Sequence, residues 1–218
     1  MSDLAETKKK MAQAIKSHFQ ELKVPGEVSK KVSTKMRLEA KLKSGADLAI
    51  GCAEVKGGRL PGFYGLYWMF SMTGGPIHDI MTATALDADP HSARPYVITC
   101  TSHNLSSASH FEVGPNTDFD GVAAAICKDI REQAFPIISG FESEPNRALD
   151  YILSGIPFAV RNPFTTSIIL MHLAKRTDRL DEIINVASAR EGFYDFKGKT
   201  EARANIIEPL AKWFAARA

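Results

Sequence analysis

One segment, residues 117–141, divides the chain into two parts with different hydrophobic patterns. Its sequence, TDFDGVAAAICKDIREQAFPIISGF, opens with Thr117 three residues before Asp120, a pattern typical of a helix start. Apolar side chains then recur at helical spacing: Phe119, Val122, Ile126 and Ile130. Pro136 lacks an N–H, and its ring clashes with the preceding turn, so the helix is predicted to end or kink near Phe135. Strand patterns dominate before this segment and helix patterns after it.

Residues 34–43 carry the clearest strand pattern, because apolar and charged side chains alternate along them. The apolar set is Met36, Leu38, Ala40 and Leu42. A turn at residues 44–46 would lead into a second strand from Asp47 to Val55. A three-residue loop would place Leu42 opposite Leu48, Ala40 opposite Ile50, and Lys43 opposite Asp47. This register matches apolar with apolar side chains and lysine with aspartate.

Four further stretches are predicted as strands. Residues 63–72, FYGLYWMFSM, are the most aromatic part of the chain and suit a central strand covered on both faces; an aromatic binding surface is the alternative. Residues 80–86, 96–101 and 111–113 complete the set. The short loops between these strands favour an antiparallel sheet over parallel crossover units.

The remaining apolar patterns predict helices, one before the strands and four after residue 141. These are residues 2–22, 143–153, 162–175, 177–192 and 200–217, the last with a kink at Pro209. We therefore expect one α+β domain over residues 1–218, strand-rich at 33–114 and helical at 117–218. Its antiparallel sheet would contain about five or six strands covered by helices, with the C-terminal helices as a partly separate layer.

Composition sets the broad class of protein. The chain is 44% hydrophobic and 24% charged, which is typical of a globular protein, and its formal charge of +2 does not predict nucleic-acid binding. No apolar run is long enough to span a bilayer and no secretory leader is evident, so a cytoplasmic location without membrane contact is expected. Cys52, Cys100 and Cys127 lack metal-site spacing and are expected to be idle thiols.

A nuclease-like constellation is one alternative to a purely binding role. Glu54 and Lys56 stand at a strand end with Asp47 upstream, and two carboxylates with a lysine are what a metal-dependent nuclease of the PD-(D/E)xK type requires. The match is limited to three residues. The carboxylates stand seven residues apart on one strand rather than across a hairpin.

Histidine and aspartate residues form a second candidate set. Four of the six histidines lie between residues 78 and 110, and imidazole and carboxylate groups are ligands for zinc and other transition metals. The candidates are His78, Asp79, Asp87, Asp89 and His91, followed by His103 and His110. No HxH, HExxH or HxxxH spacing fixes two of them on one element, so solvated loop histidines are the preferred interpretation.

The order of elements carries a resemblance over residues 33–153. A helix and an antiparallel sheet precede DFDGVAAAICKDIREQAFPIISGFES, and this arrangement resembles small bacterial families that include toxin-immunity proteins. The resemblance implies a fold and a protein partner. It carries no functional residue to this chain.

The absence of a convergent catalytic set in the sequence favours a non-catalytic protein-binding module, of immunity type by the resemblance, with no cofactor. A metal-dependent hydrolase or nuclease is the alternative. The predicted binding surface is the loop around Arg59, Phe63 and Tyr64, because arginine and tyrosine are common interface anchors and four Gly and Pro residues surround them.

Overall fold

The structure, a computed structural model, describes residues 3–55, 62–86, 96–105, 110–155, 159–193 and 199–217. Its strands are β1 (Glu27–Ser33), β2 (Arg37–Leu42), β3 (Asp47–Val55), β4 (Tyr64–Thr73), β5 (Tyr96–Thr101), β6 (Phe111–Val113) and β7 (Ala159–Val160). Its helices are α1 (Asp3–Glu21), α2 (Gly75–Ala83), α3 (Ser102–Leu105), α4 (Phe119–Asp129), α5 (Phe135–Ser143), α6 (Pro145–Ser154), α7 (Pro163–Leu173), α8 (Leu180–Ala189), α9 (Lys199–Ala202) and α10 (Glu208–Ala215). The predicted α+β class is confirmed.

The described strands form one antiparallel sheet in the order β1-β2-β3-β4-β5-β7. The short strand β6 pairs with the first residues of β4, while β5 pairs with its last five, so both lie along the same edge of β4. The described residues form seven strands of this sheet, slightly more than the sequence predicted. The additional strand β1 escaped prediction because EVSKKVS has only two apolar residues, and β7 is only two residues long.

The predicted pairing of β2 with β3 is wrong by two residues. Ala40 lies opposite Leu48, and Lys41 rather than Lys43 lies opposite Asp47. The loop does contain three residues, but they are 43–45, because the left-handed position (φ 88°) falls on Gly45. A shift of two residues keeps every side chain on its predicted face, so Leu38 is buried and Arg37 is exposed as expected.

Strand β4 is central, as predicted, but its second face is not fully covered. The residues from Tyr64 to Met72 that point toward the helices are buried, while those between them, apart from the buried Gly65, are half-buried or exposed. Met69 is 38% exposed. The aromatic run therefore has one buried face and one accessible face.

The predicted strand at residues 80–86 is instead mostly helical. Helix α2 starts at Gly75, with Pro76 in its first turn, and buries Ile77, Ile80 and Met81. These positions follow i, i+3, i+4 spacing, which is the helical period. The strand prediction, which relied on the alternation of Thr82 and Thr84, is wrong.

The segment at 117–141 is helical from Phe119 onward, and its start differs from prediction. Asp118, not Thr117, caps α4 by accepting a hydrogen bond from the Gly121 N–H. Between α4 and α5, residues 130–134 form a π turn in which the Phe135 N–H bonds to the Ile130 carbonyl. This wider turn carries the chain past Pro136 without ending the helix.

The same arrangement precedes the second internal proline. Residues 203–207 form a π turn between α9 and α10, and the Glu208 N–H bonds to the Arg203 carbonyl. Pro209 follows Glu208, just as Pro136 follows Phe135. The predicted irregularity at Pro209 is thus a π turn.

The helices cover one face of the sheet and extend beyond it. Helix α1 buries Met11, Ile15 and Phe19 and packs on α4 and on β1 and β2. Helix α7, almost entirely buried, contacts α2, α6, α8 and α10. The buried side chains of both halves form one continuous core. Among the described residues, no helix has both the length and the apolar character needed to cross a membrane.

Candidate binding surface on the sheet

The two faces of the sheet differ in cover. Because side chains alternate along a strand, even-numbered residues of β2, β3 and β4 point toward α1 and α4, and odd-numbered residues point the other way. We call the second surface the open face: the odd-numbered residues of β2 (37–41), β3 (47–53) and β4 (67–73), together with Tyr96 of β5. These side chains are all exposed or half-buried.

The open face contains two adjoining hollows, with volumes of about 690 and 320 Å³. Both include Arg37, Ala49 and Ser71, and the larger one extends across five strands from Lys31 on β1 to Tyr96 on β5. Small side chains produce this shape, since Ala49 lies opposite Ser71 and Gly51 follows Ala49 on the same face of β3. The face is therefore a shallow trough with a floor of small residues.

Large apolar side chains are exposed around this trough. Met69 and Tyr96, 38% and 41% exposed, belong to the open face itself. Phe63, 43% exposed, directly precedes β4 in the same odd-numbered series, and its ring lies against Gly114, leaving no room for a Cβ at residue 114. Of the four large apolar side chains found exposed in the described ranges, Met69 and Tyr96 belong to the open face, Phe63 lies beyond its end before β4, and Val28 lies on β1.

The charges on the open face are mostly paired with each other. The Arg37 Nε lies 2.9 Å from a carboxylate oxygen of Glu39, and the Lys41 Nζ lies 3.0 Å from one of Asp47. Their side chains are about half exposed, so each pair contributes little to stability. Lys31 and Lys35, at the β1 border, form no ion pair within the described part of the chain.

Two residues of the predicted loop surface, Phe63 and Tyr64, point to opposite faces of the sheet because side chains alternate along a strand. Phe63 is accessible, but Tyr64 is only 5% exposed, and its hydroxyl has no hydrogen-bond partner in the described structure. Burial, assisted by the carboxylate of Glu54, raises the pKa of Tyr64 above its ordinary value. Tyr64 is thus a core residue rather than an anchor. Arg59 lies outside the described residues.

The two carboxylates of the nuclease-like constellation, Asp47 and Glu54, lie far apart. Asp47 and Glu54 stand seven residues apart on β3, a spacing that places them on opposite faces and about 23 Å apart along the strand. Asp47 pairs with Lys41 on the open face, whereas Glu54 accepts a 2.7 Å hydrogen bond from Lys8 of α1 on the helix side. The two carboxylates cannot hold one ion between them. Lys56 lies outside the described residues.

The histidine candidates are separated in the structure. His78 and Asp79 are adjacent on α2, with Nδ1 and Oδ1 3.6 Å apart, and Asp87, Asp89 and His91 lie outside the described residues. His103 packs against Tyr67 with ring centroids 4.7 Å apart and the ring planes tilted by 34°. No group of three or more metal-ligating side chains is found in the residues that the structure describes.

A larger hollow, of about 960 Å³, lies on the outer side of α1 beside the start of α4, but several of its polar groups already have partners. Lys10 is 3.9 Å from Glu6, Asp118 caps α4, and Asp120 bonds to His18 at 2.9 Å. None of the large exposed apolar residues lines it. The open face is therefore the better candidate for a binding surface.

The sequence contained only part of the information needed to find this surface. The alternation in β2 indicated one solvent-facing side, but the floor of the trough consists of alanine, glycine and serine, which carry no distinctive pattern. Comparison with known proteins adds nothing further, since no protein-family model, curated protein or solved structure matches the chain.

Proposed function

We propose that this protein is a non-catalytic protein-binding module and that it binds its partner through the open face of the sheet. The observation that carries the proposal is the exposure of Met69 and Tyr96 on the sheet surface opposite α1 and α4, where only the short α3, among the described helices, is seen to pack, at Tyr67. Interface cores are enriched in methionine and aromatic residues, and exposed apolar groups beside charged ones mark binding surfaces.

The immunity-type role is the narrower form of this proposal. It is supported by the resemblance in the order of elements over residues 33–153, and it gives the partner as a toxin made by the same cell. Co-expression with the toxin candidate encoded by a neighbouring gene tests it. Growth rescued by the wild-type protein but not by a Met69→Glu variant is expected, and growth arrest in both strains would contradict this narrower role.

The general proposal is tested by capture from an extract of the cells that make the protein, with quantitative mass spectrometry of the bound fraction. Wild-type bait should retain one protein at near-equal amount. Met69→Glu should lower its recovery by more than about fivefold, since truncating or charging an interface anchor costs over about 1 kcal/mol.

Val28→Glu is the matched control, because it makes the same kind of change at an exposed apolar residue outside the open face. It should leave recovery unchanged, and circular dichroism should show both variants folded. Equal recovery by wild type and Met69→Glu, or absence of any near-stoichiometric protein, would overturn the proposal. Loss with Val28→Glu alone would assign the interface to the edge of the sheet at β1.

A further inference from the structure

The shape of the open face restricts what can cover it. Its floor is formed by Ala49, Gly51 and Ser71, and it lies below the exposed side chains of Met69 and Tyr96. A concave floor of small residues leaves dispersion contacts unmade unless a convex body enters it. The partner must therefore supply a ridge of side chains.

A second copy of the chain does not meet this requirement. Two open faces packed together would place one hollow of about 690 Å³ against another, and neither face would supply the ridge to fill them. Well-packed interfaces approach the density of protein interiors, which such a cavity prevents. A symmetric sheet-on-sheet dimer is therefore disfavoured by shape.

An extended peptide is disfavoured by its hydrogen bonds. The backbone groups of β2, β3 and β4 are occupied by pairing within the sheet, so they offer no partners across the open face. A strand lying there would bury its own N–H and C=O groups unpaired, at considerable cost. An α-helix satisfies its backbone internally and presents a convex ridge, and the same sheet is already covered in this way on its other side by α1.

The charges on the open face indicate where that helix should carry acidic side chains. Arg37 pairs with Glu39 and Lys41 with Asp47, which leaves Lys31 and Lys35 as surplus positive groups on the β1 border. Acidic side chains on the partner would complement them. The trough crosses five strands, a width of about 19 Å, which corresponds to about 13 residues of helix.

We propose that the partner docks an amphipathic α-helix of about three to four turns in the trough, with its apolar side on Met69 and Tyr96 and its acidic residues over Lys31 and Lys35. This inference rests on the proposed protein-binding function and adds the kind of element that the protein binds. The alternative occupant, a single-stranded nucleic acid drawn by the lysines, is an outcome of the test.

The experiment is selection from a display library of random 16-residue peptides on the immobilised wild-type protein, with the Met69→Glu variant used for counter-selection. Enriched peptides should lack proline, carry apolar residues at i, i+3, i+4, i+7 spacing, and contain clustered Asp or Glu. Enrichment of proline-containing, alternating or basic sequences, or failure to enrich any family, would overturn the helix inference. The extract capture described above would still stand, so the two failures are distinguishable.

A charge swap with the best selected peptide, labelled for fluorescence anisotropy, tests the orientation. The Lys31→Glu, Lys35→Glu double variant should bind it at least tenfold more weakly, and a peptide with its acidic cluster changed to lysine should recover binding to that variant. The control is Lys9→Glu, Lys212→Glu, which alters two exposed lysines on α1 and α10 and should bind normally. Equal weakening by both double variants would contradict the orientation. Saturable binding of a 15-nucleotide oligo-dT that Met69→Glu abolishes would identify the trough as a nucleic-acid site instead.

Discussion

The indole Nε1 of Trp68 donates a 2.6 Å hydrogen bond to the Oδ2 of Asp129, which ties the middle of β4 to the last residue of α4. Trp68 is fully buried and Asp129 is half-buried, so the indole N–H depends on this single acceptor. Asp129→Ala should therefore lower the free energy of unfolding by about 1–3 kcal/mol, the usual cost of leaving a buried donor unpaired. Urea unfolding followed by far-UV circular dichroism measures this.

Asp129→Asn is the control for that experiment. Its side-chain oxygen can still accept the indole hydrogen bond, so it should lose clearly less stability than Asp129→Ala. Equal losses in the two variants would mean that the carboxylate charge, rather than the hydrogen bond, is what stabilises this contact.

The even-numbered face of β2 offers a test of the core. Leu38 is fully buried, and Leu38→Ala should cost about 2–5 kcal/mol because it removes apolar contacts and leaves a cavity. Arg37→Ala, on the open face next to it, should change stability by no more than about 0.5 kcal/mol. Denaturant midpoints of the two variants give the comparison, and similar midpoints would show that the faces of β2 are assigned wrongly.

His172 should make stability depend on pH. Its ring stacks on Phe214 with centroids 4.5 Å apart, and burial lowers the pKa of His172 below its ordinary value. The unfolded chain therefore binds a proton more readily than the folded protein, and the free energy of unfolding should fall as pH drops from 7 through about 6. Urea unfolding at pH 7.5, 6.5 and 5.5 shows this fall.

The His172→Gln variant should lose this part of the pH dependence, so its unfolding free energy should decline less over the same range. NMR titration of the imidazole checks the premise directly. A His172 pKa at or above about 6.5 would remove the basis of the prediction.

The cysteines should react slowly in the folded protein. Burial raises the pKa of both Cys100 and Cys127 to about 11, and it also raises that of Cys52. Because the thiolate is the reactive form, labelling by Ellman's reagent at pH 8 should be slower by about a hundredfold or more than for a free thiol. All three thiols should react at once in 8 M urea, and a rapidly labelled thiol in the native protein would contradict their assignment as idle.

The hairpin between β2 and β3 shows what could be derived from the sequence. The alternation of Leu38, Ala40 and Leu42 was sufficient to assign their buried face, because a strand has only two faces. The partner residues depended instead on which loop position adopts positive φ, and both registers pair apolar with apolar side chains. The Lys41–Asp47 ion pair is as reasonable as the predicted Lys43–Asp47 pair, so charge could not decide between them.

The candidate binding surface was harder to derive for a different reason. Local patterns report which residues are buried, and the open face is defined by what the rest of the fold leaves uncovered. Met69 lies within an aromatic run that suggested cover on both sides, and its exposure follows only from the position of α1 and α4 on the opposite face. Of the two aromatic residues proposed for the loop surface, Phe63 is exposed, while its neighbour Tyr64 faces the core.

The two π turns have a consequence for how this chain can vary in length. A π turn is an α-helix with one extra residue, and here each extra residue stands just before a proline, at Pro136 and at Pro209. Removing the extra residue would close the turn onto the proline ring and rotate the following helix by about 100° relative to the core. The extra residue of the π turn and the proline after it should therefore be gained or lost together. Natural homologues without Pro136 are expected to be one residue shorter between residues 130 and 136.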